Sequence, residues 1–210
     1  MSYPIVNPAV DRYLYSLLPR RDAVLTEMER RAARESIPII GPAVGRVLAL
    51  LVRMTGARRI FEMGSAIGYS TIWLARAAGP RSQVFYTDGN PENARDAERY
   101  FKRAGVAGRV RILVGNALKL MDKVPGKFDL IFNDVNKAEY PEVFHKAVRR
   151  LKHGGLLVAD NTLWFGRVTR KAGDADTRGI QQFNRLAYAS HELFPVILPL
   201  RDGVLVCRKQ

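Results

Sequence analysis

Asp134, Lys137 and Tyr140 follow one another at three-residue spacing in Asp-Val-Asn-Lys-Ala-Glu-Tyr, and an acid–amide pair, Asp160-Asn161, opens Asp-Asn-Thr-Leu-Trp-Phe-Gly-Arg-Val. Two carboxylates and one amide oxygen are hard oxygen donors. Without His or Cys among them they suit a divalent cation such as Mg²⁺, which keeps its other positions for water or substrate oxygens. A lysine one helical turn beyond Asp134 can reach a hydroxyl bound to such a cation and take its proton, so Lys137 is the candidate base. Trp164, four residues past Asp160, is the candidate flank for an acceptor. A cap or a turn explains either acid alone, but not both at the ends of successive strands.

A second group of residues lies upstream, in Glu62-Met63-Gly64-Ser65-Ala66-Ile67-Gly68-Tyr69-Ser70. Gly64 and Gly68 permit a tight turn that brings backbone close to a ligand. A dinucleotide fingerprint needs glycine where Ala66 stands, and no Lys-Ser or Lys-Thr follows Gly68, which excludes a Walker loop. What remains is a turn that holds a nucleoside without phosphates. Glu62 can face a cationic amino-acid moiety, and Asp88, 20 residues after Gly68, can take both ribose hydroxyls.

These residues need strand ends to carry them. The apolar stripe Val44, Val47, Leu48, Leu51 and Val52 makes the N-terminal third helical. From residue 58 strands alternate with helices: strands at 59–63, 84–88, 110–114, 128–132 and 156–159, with helices over 69–78, from Pro91, between Tyr140 and Leu151 up to Gly154-Gly155, and over 181–189. Such alternation implies a doubly wound, mostly parallel sheet of Rossmann-like α/β type. Two last apolar runs, 196–200 and 204–207, are separated only by Arg201-Asp202-Gly203 and must pair antiparallel. The expected architecture is a seven-stranded sheet ending in an antiparallel hairpin, one domain over 1–210, with a helical cap at 1–56 and the core at 57–210.

Composition bounds the alternatives. Apolar residues make up 47% of the chain, charged residues 26%, and no apolar run reaches the ~20 residues of a membrane span. Met1-Ser2-Tyr3-Pro4 lacks the basic start and apolar run of a signal peptide, so a cytoplasmic protein is expected. The single cysteine, Cys207, reads as a buried strand residue. A net charge of +14, with local groups such as Arg167, Arg170 and Lys171, admits a polyanion such as tRNA as partner, although the basic residues are dispersed along the chain.

The Glu62–Ser70 segment, Asp134-x-x-Lys137-x-x-Tyr140, Asp160-Asn161-x-Leu163-Trp164-x-Gly166-x-Val168 and the closing Leu198-Pro-Leu-Arg-Asp-Gly203 together resemble the cation-dependent O-methyltransferases of the catechol and caffeoyl-CoA type. The likeness runs from about Ile37 to the C-terminus. It implies S-adenosylmethionine bound through Glu62, Gly64, Ser65, Gly68, Tyr69, Ser70, Asp88, Asn116, Ala117 and Asp134. It further implies a divalent cation on Asp134, Asp160 and Asn161, Lys137 as the catalytic base, and Trp164 at the substrate. The expected partners are a small hydroxylated acceptor and a second copy in a homodimer; a tRNA nucleoside hydroxyl is the alternative acceptor. An NAD-dependent oxidoreductase is disfavoured by Ala66 and by the hairpin. Two positions depart from the family: Gly115-Asn116-Ala117 stands where Gly-Asp-Ala is usual, and Asp134-Val135-Asn136-Lys137 where Asp-Ala-Asp-Lys is. An Asn carbonyl at 116 can still accept from an adenine amino group.

Overall fold

The computed structural model describes residues 5, 7–171 and 173–210, so the Met1-Ser2-Tyr3-Pro4 start lies outside them. Eight α-helices and seven strands make up the regular structure of the described residues, with three short 3-10 turns besides. Helices α1 (Pro8–Ser16), α2 (Ala23–Glu35) and α3 (Gly41–Thr55) precede β1 (Arg59–Met63), α4 (Tyr69–Ala78), β2 (Gln83–Asp88), α5 (Pro91–Arg103), β3 (Val110–Val114) and α6 (Ala117–Lys123). Then come β4 (Phe128–Asn133), α7 (Tyr140–Arg150), β5 (Leu151–Ala159), α8 (Ala175–Ala189), β6 (Leu193–Leu198) and β7 (Val204–Lys209). The strands form one seven-stranded sheet in the order β3-β2-β1-β4-β5-β7-β6. The expected seven-stranded, mostly parallel sheet with its C-terminal antiparallel hairpin is therefore the observed one.

Two compact units make up the chain, Leu17–Val124 and Pro125–Gln210 with α1. In the first, β1, β2 and β3 pair in parallel. Ile60, Phe61, Val84, Phe85 and Tyr86 are buried, as strands covered on both faces require. Helix α2 starts at Asp22, whose carboxylate accepts from the Val24 and Leu25 amides, and α5 starts at Asn90 with Pro91 in its first turn, as its sequence predicts.

In the second unit β4 and β5 are parallel, while β7 runs antiparallel to both β5 and β6. The hairpin implied by the short Arg201-Asp202-Gly203 turn is thus present, with β6 at 193–198, starting and ending earlier than expected. Two other expectations are corrected. The helix after β4 ends at Arg150 rather than at Gly154-Gly155, and the glycines lie within β5. Phe128 pairs with Leu151 but Leu130 with Leu156, so residues 152–155 bulge from the ladder. A Cβ on Gly155 would stand 2.9 Å from the Lys152 carbonyl and 3.0 Å from that of Asp129. The last helix begins at Ala175, capped by Asp174, six residues before the apolar signal at Gln181. Cys207 is buried in β7, and burial pushes its thiol up to about 12. Among the described residues no helix is long and apolar enough to cross a membrane.

Gly179, inside α8, is held by a contact. A Cβ there would lie 2.2 Å from the carbonyl oxygen of Lys137, against a backbone that cannot yield. Ala normally stabilises a helix interior over Gly by up to about 1 kcal/mol. Here the sign reverses: Gly179→Ala should destabilise by on the order of 1–3 kcal/mol, the usual cost of overpacking, measured as a lower midpoint in urea unfolding.

Candidate active site

Strands β4 and β5 end side by side, Asn133 opposite Ala159, and each delivers an acid at the next residue. Asp134 and Lys137 are joined by an ion pair of 2.7 Å, with 23% and 14% of their side chains exposed. The same ammonium donates to the Val135 carbonyl at 3.1 Å and lies 5.4 Å from the Tyr140 ring and 6.0 Å from the Trp164 ring. Asp160 is 2% exposed, 3.8 Å from Arg201. Its Oδ1 has no hydrogen-bond partner among the described residues. Asn161, held at φ 58°, donates from Nδ2 to Asp202 Oδ2 at 2.8 Å. The Tyr140 hydroxyl donates to the Asp160 carbonyl at 3.0 Å and so fixes the acid's backbone. Lys137, Tyr140, Asp160, Asn161 and Trp164 thus share one end of this unit with Asp134.

The Leu17–Val124 unit carries the other predicted group. Glu62 is fully buried at the tip of β1, where the Thr71 hydroxyl donates to its Oε2. The turn after it is tied to β2: the Ser65 amide donates to the Thr87 carbonyl at 2.9 Å, and the Ala66 amide to Asp88 Oδ2 at 2.9 Å. Asp88 Oδ1 accepts from the Asn90 amide at 2.8 Å and from Asn93 Nδ2 at 3.0 Å. Its carboxylate is fixed in place at the strand end rather than swinging as a cap. Gly68 sits at φ 85°, and a Cβ there would come within 2.5 Å of the Phe101 ring. Ser70 is buried in the first turn of α4. Tyr69 is turned away from this turn, its hydroxyl donating to Glu29 of α2 at 2.6 Å. Asn116 caps α6, its Oδ1 accepting from the Lys119 amide at 3.1 Å, with Ala117 buried behind it.

The family described as O-methyltransferase matches residues 19–210. A catechol O-methyltransferase of Niastella koreensis is 33% identical over 199 residues, 91% of this chain and 90% of that protein. The O-methyltransferase of Bacillus cereus in complex with SAH superposes with a TM-score of 0.88 at 30% identity, covering 96% of this chain and 97% of that one. An O-methyltransferase of Streptomyces achromogenes involved in tomaymycin synthesis, in complex with SAM, gives 0.88 at 30% identity, covering 96% of each chain. The chain belongs to the O-methyltransferase family. The resemblance drawn from the motifs holds, and so does the expectation of an enzyme.

The methyltransferase also contains residues that sequence reasoning left without a role. Asp202 is 1% exposed and grips the Asn161 amide, while its own carbonyl accepts from the Leu163 and Trp164 amides at 2.8 and 3.0 Å. Its sequence signal is the Arg201-Asp202-Gly203 turn, which by itself marks a hairpin and a family likeness. Asn133 is buried with both side-chain polar atoms unpartnered, and Thr162 with its hydroxyl unpartnered, among the described residues. Neither carries a sequence signal, because each is only the neighbour of a motif residue.

Burial, and then neighbouring acids, raise the proton affinity of Asp134 and Asp160. Burial raises Asp134 above the ordinary carboxylate range, against the pull of Lys137. Burial and then repulsion from Asp134 push Asp160 up to about 7. For an acid raised in the folded state, the native protein holds more protons than the unfolded chain. Stability is therefore lost as pH rises from about 4 to about 7 and stays lost above. In chelator, Asp160→Asn should flatten this decline and gain up to about 4 kcal/mol at pH 8 while changing little at pH 4. Urea unfolding at the two pH values checks it, and an equal gain at both would overturn the assignment.

Proposed function

We propose that this methyltransferase transfers the methyl group of S-adenosylmethionine to a hydroxyl of a small catechol-like or phenolic acceptor, with a divalent cation, Mg²⁺, at Asp134, Asp160 and Asn161. The observation that carries the reading is the meeting of Lys137, Asp134 and the buried Asp160 at the ends of β4 and β5. The unpartnered Oδ1 of Asp160 speaks for the cation, as does the Asp202 grip on the Asn161 Nδ2, which leaves the amide's oxygen to point elsewhere. Among the described residues no three acidic, His or Cys side chains form a cage. A site of two carboxylates and one amide, with open positions for acceptor oxygens, is what Mg²⁺ accepts. The relatives' names support the catechol-like acceptor, and the SAH and SAM in two related structures support the donor.

When bound, the cation lowers the pKa of a ligated hydroxyl and neutralises the charge that develops on it, and the donor supplies an electrophilic methyl. The chain's own residues do the rest. Lys137, in its neutral amine form, takes the hydroxyl proton on Nζ and becomes an ammonium whose position Val135 and the Tyr140 and Trp164 rings confine. Trp164 offers its indole face to a planar acceptor, from a loop in which its backbone amide donates hydrogen bonds to the Asp202 and Asn161 carbonyls. Asp88 takes the ribose hydroxyls with a carboxylate already oriented by three donors, and Glu62 faces the cationic amino-acid end. Orientation of oxygen, methyl and sulfur in line supplies most of the acceleration. A tRNA nucleoside hydroxyl is the second acceptor reading, favoured by the +14 charge and by exposed Arg170 and Lys171 just beyond the Trp164 loop.

The test is methyl transfer from labelled S-adenosylmethionine to catechols, phenolic esters and tRNA. Activity should vanish in strong chelator. Asp134→Ala and Asp160→Ala should lose activity and partly regain it with excess Mg²⁺ or Mn²⁺, because mass action offsets a weakened site. Lys137→Ala should fall by ~10²–10⁴-fold, beyond rescue by metal but partly restored at high pH. Full turnover in chelator overturns the metal-assisted reading. On the donor side, Asp88→Ala should weaken calorimetric binding by on the order of 1.5–3 kcal/mol, the worth of hydrogen bonds to a charged group.

A further inference from the structure

A cleft of about 180 Å³ opens between α2, α3 and α4, its rim set with Arg20, Arg21, Arg46, Arg53 and Arg76. Its wall is apolar, formed by Leu25, Ala49, Trp73 and Ala77. None of these residues belongs to the proposed donor turn or to the cation pair. Gly45 of α3 is what seats the Trp73 indole, since a Cβ there would stand 2.5 Å from its ring nitrogen.

The charges in this cleft do not balance. Its single acid, Asp22, already caps α2 and is paired with Arg76. Arg21 is paired with Glu29 at 2.9 Å. Arg20, Arg46 and Arg53 make no ion pair among the described residues, whereas several other basic side chains of the unit do: Arg31 with Asp96, Arg103 with Glu27, Lys102 with Glu98. Arg46 and Arg53 stand seven residues apart on α3, so they rise from one helical face about 10 Å apart, and Arg20 comes from the segment before α2. Every base in the cleft is arginine. The guanidinium fork grips two oxygens of a phosphate at once, is weakly hydrated and never loses its charge.

We propose that this cleft is an anion site that takes the diphosphate group of a small phosphorylated ligand, with Arg20, Arg46 and Arg53 on the phosphate oxygens and the ligand's apolar part against Leu25 and Trp73. The two phosphates of such a group can engage arginines from both rims, whereas a single carboxylate is too small to meet all three. The proposal is independent of the acceptor and of the cation.

Inorganic pyrophosphate is the probe, titrated calorimetrically at low salt into the full chain, with R46Q/R53Q as the test variant and R185Q as the control. The exposed positions of Arg46 and Arg53 leave the fold intact, which circular-dichroism melting verifies. Saturable binding near one per chain, unchanged in R185Q and weakened at least about tenfold in R46Q/R53Q, is the expected result. Absence of saturable binding, or equal binding by R46Q/R53Q, overturns it. Retention of tRNA without pyrophosphate binding, lost alike in R185Q and R46Q/R53Q as salt rises, also overturns it in favour of a diffuse polyanion face.

Discussion

Three carboxylates, Asp134, Asp160 and Asp202, stand at the end of one half of the sheet, two of them almost wholly removed from water. Burying a carboxylate beside another is unfavourable unless donors or cations surround it. The local structure is the set of groups that make it tolerable: Lys137 on Asp134, Arg201 near Asp160, and the Asn161 amide on Asp202. The raised proton affinity of Asp160 measures what those groups leave uncompensated. Asp160 Oδ1 and Asp202 Oδ1 still lack hydrogen-bond partners among the described residues.

That constraint explains why the sheet ends in an antiparallel hairpin. Asp202 must approach the Asp160–Trp164 loop from the side, and a turn between two antiparallel strands places it there. Strand β7 pairs along β5 from Leu156 to Ala159, so the turn that precedes it arrives level with Asp160. The Thr162 amide then donates to the Gly203 carbonyl at 3.0 Å and the Leu163 amide to that of Asp202. These bonds hold Asn161, Trp164 and Phe165 in the left-handed region, which costs of order 1 kcal/mol or more at each non-glycine residue. Strain of this kind persists only where neighbouring bonds over-determine the loop, and here they also aim an amide and an indole.

The sheet was legible in the sequence because its strands are short apolar runs between turn residues, and burial on both faces leaves them no other reading. The acids were legible because each ends such a run. What escaped was set by pairing across the chain. The bulge at 152–155 arises from register between β4 and β5, which helix-stopping glycines do not report. The first six residues of α8, Ala-Asp-Thr-Arg-Gly-Ile, carry no continuous apolar stripe, and only the Asp174 cap and the Gly179 contact reveal them as helix. Asp202 was visible as a turn residue, and its burial depends on Asn161 lying 41 positions away. The Tyr69 hydroxyl was drawn to Glu29 of a helix whose position no motif encodes.

Asn116, where the family resemblance leads one to expect Asp, is a residue on which fold and ligand can place separate demands. As the cap of α6 it accepts from the Lys119 amide at 3.1 Å, and Asn and Asp serve equally well in that role. The fold is therefore indifferent to the exchange. For a ligand it is not. A carboxylate only accepts, whereas an amide accepts at one end and donates at the other. A hydrogen bond to a neutral acceptor is also weaker than one to a charged acceptor, by roughly 1 kcal/mol. Were Asn116 to face the nucleoside, as the resemblance implies, the exchange would shift selectivity there while leaving the α6 cap unchanged.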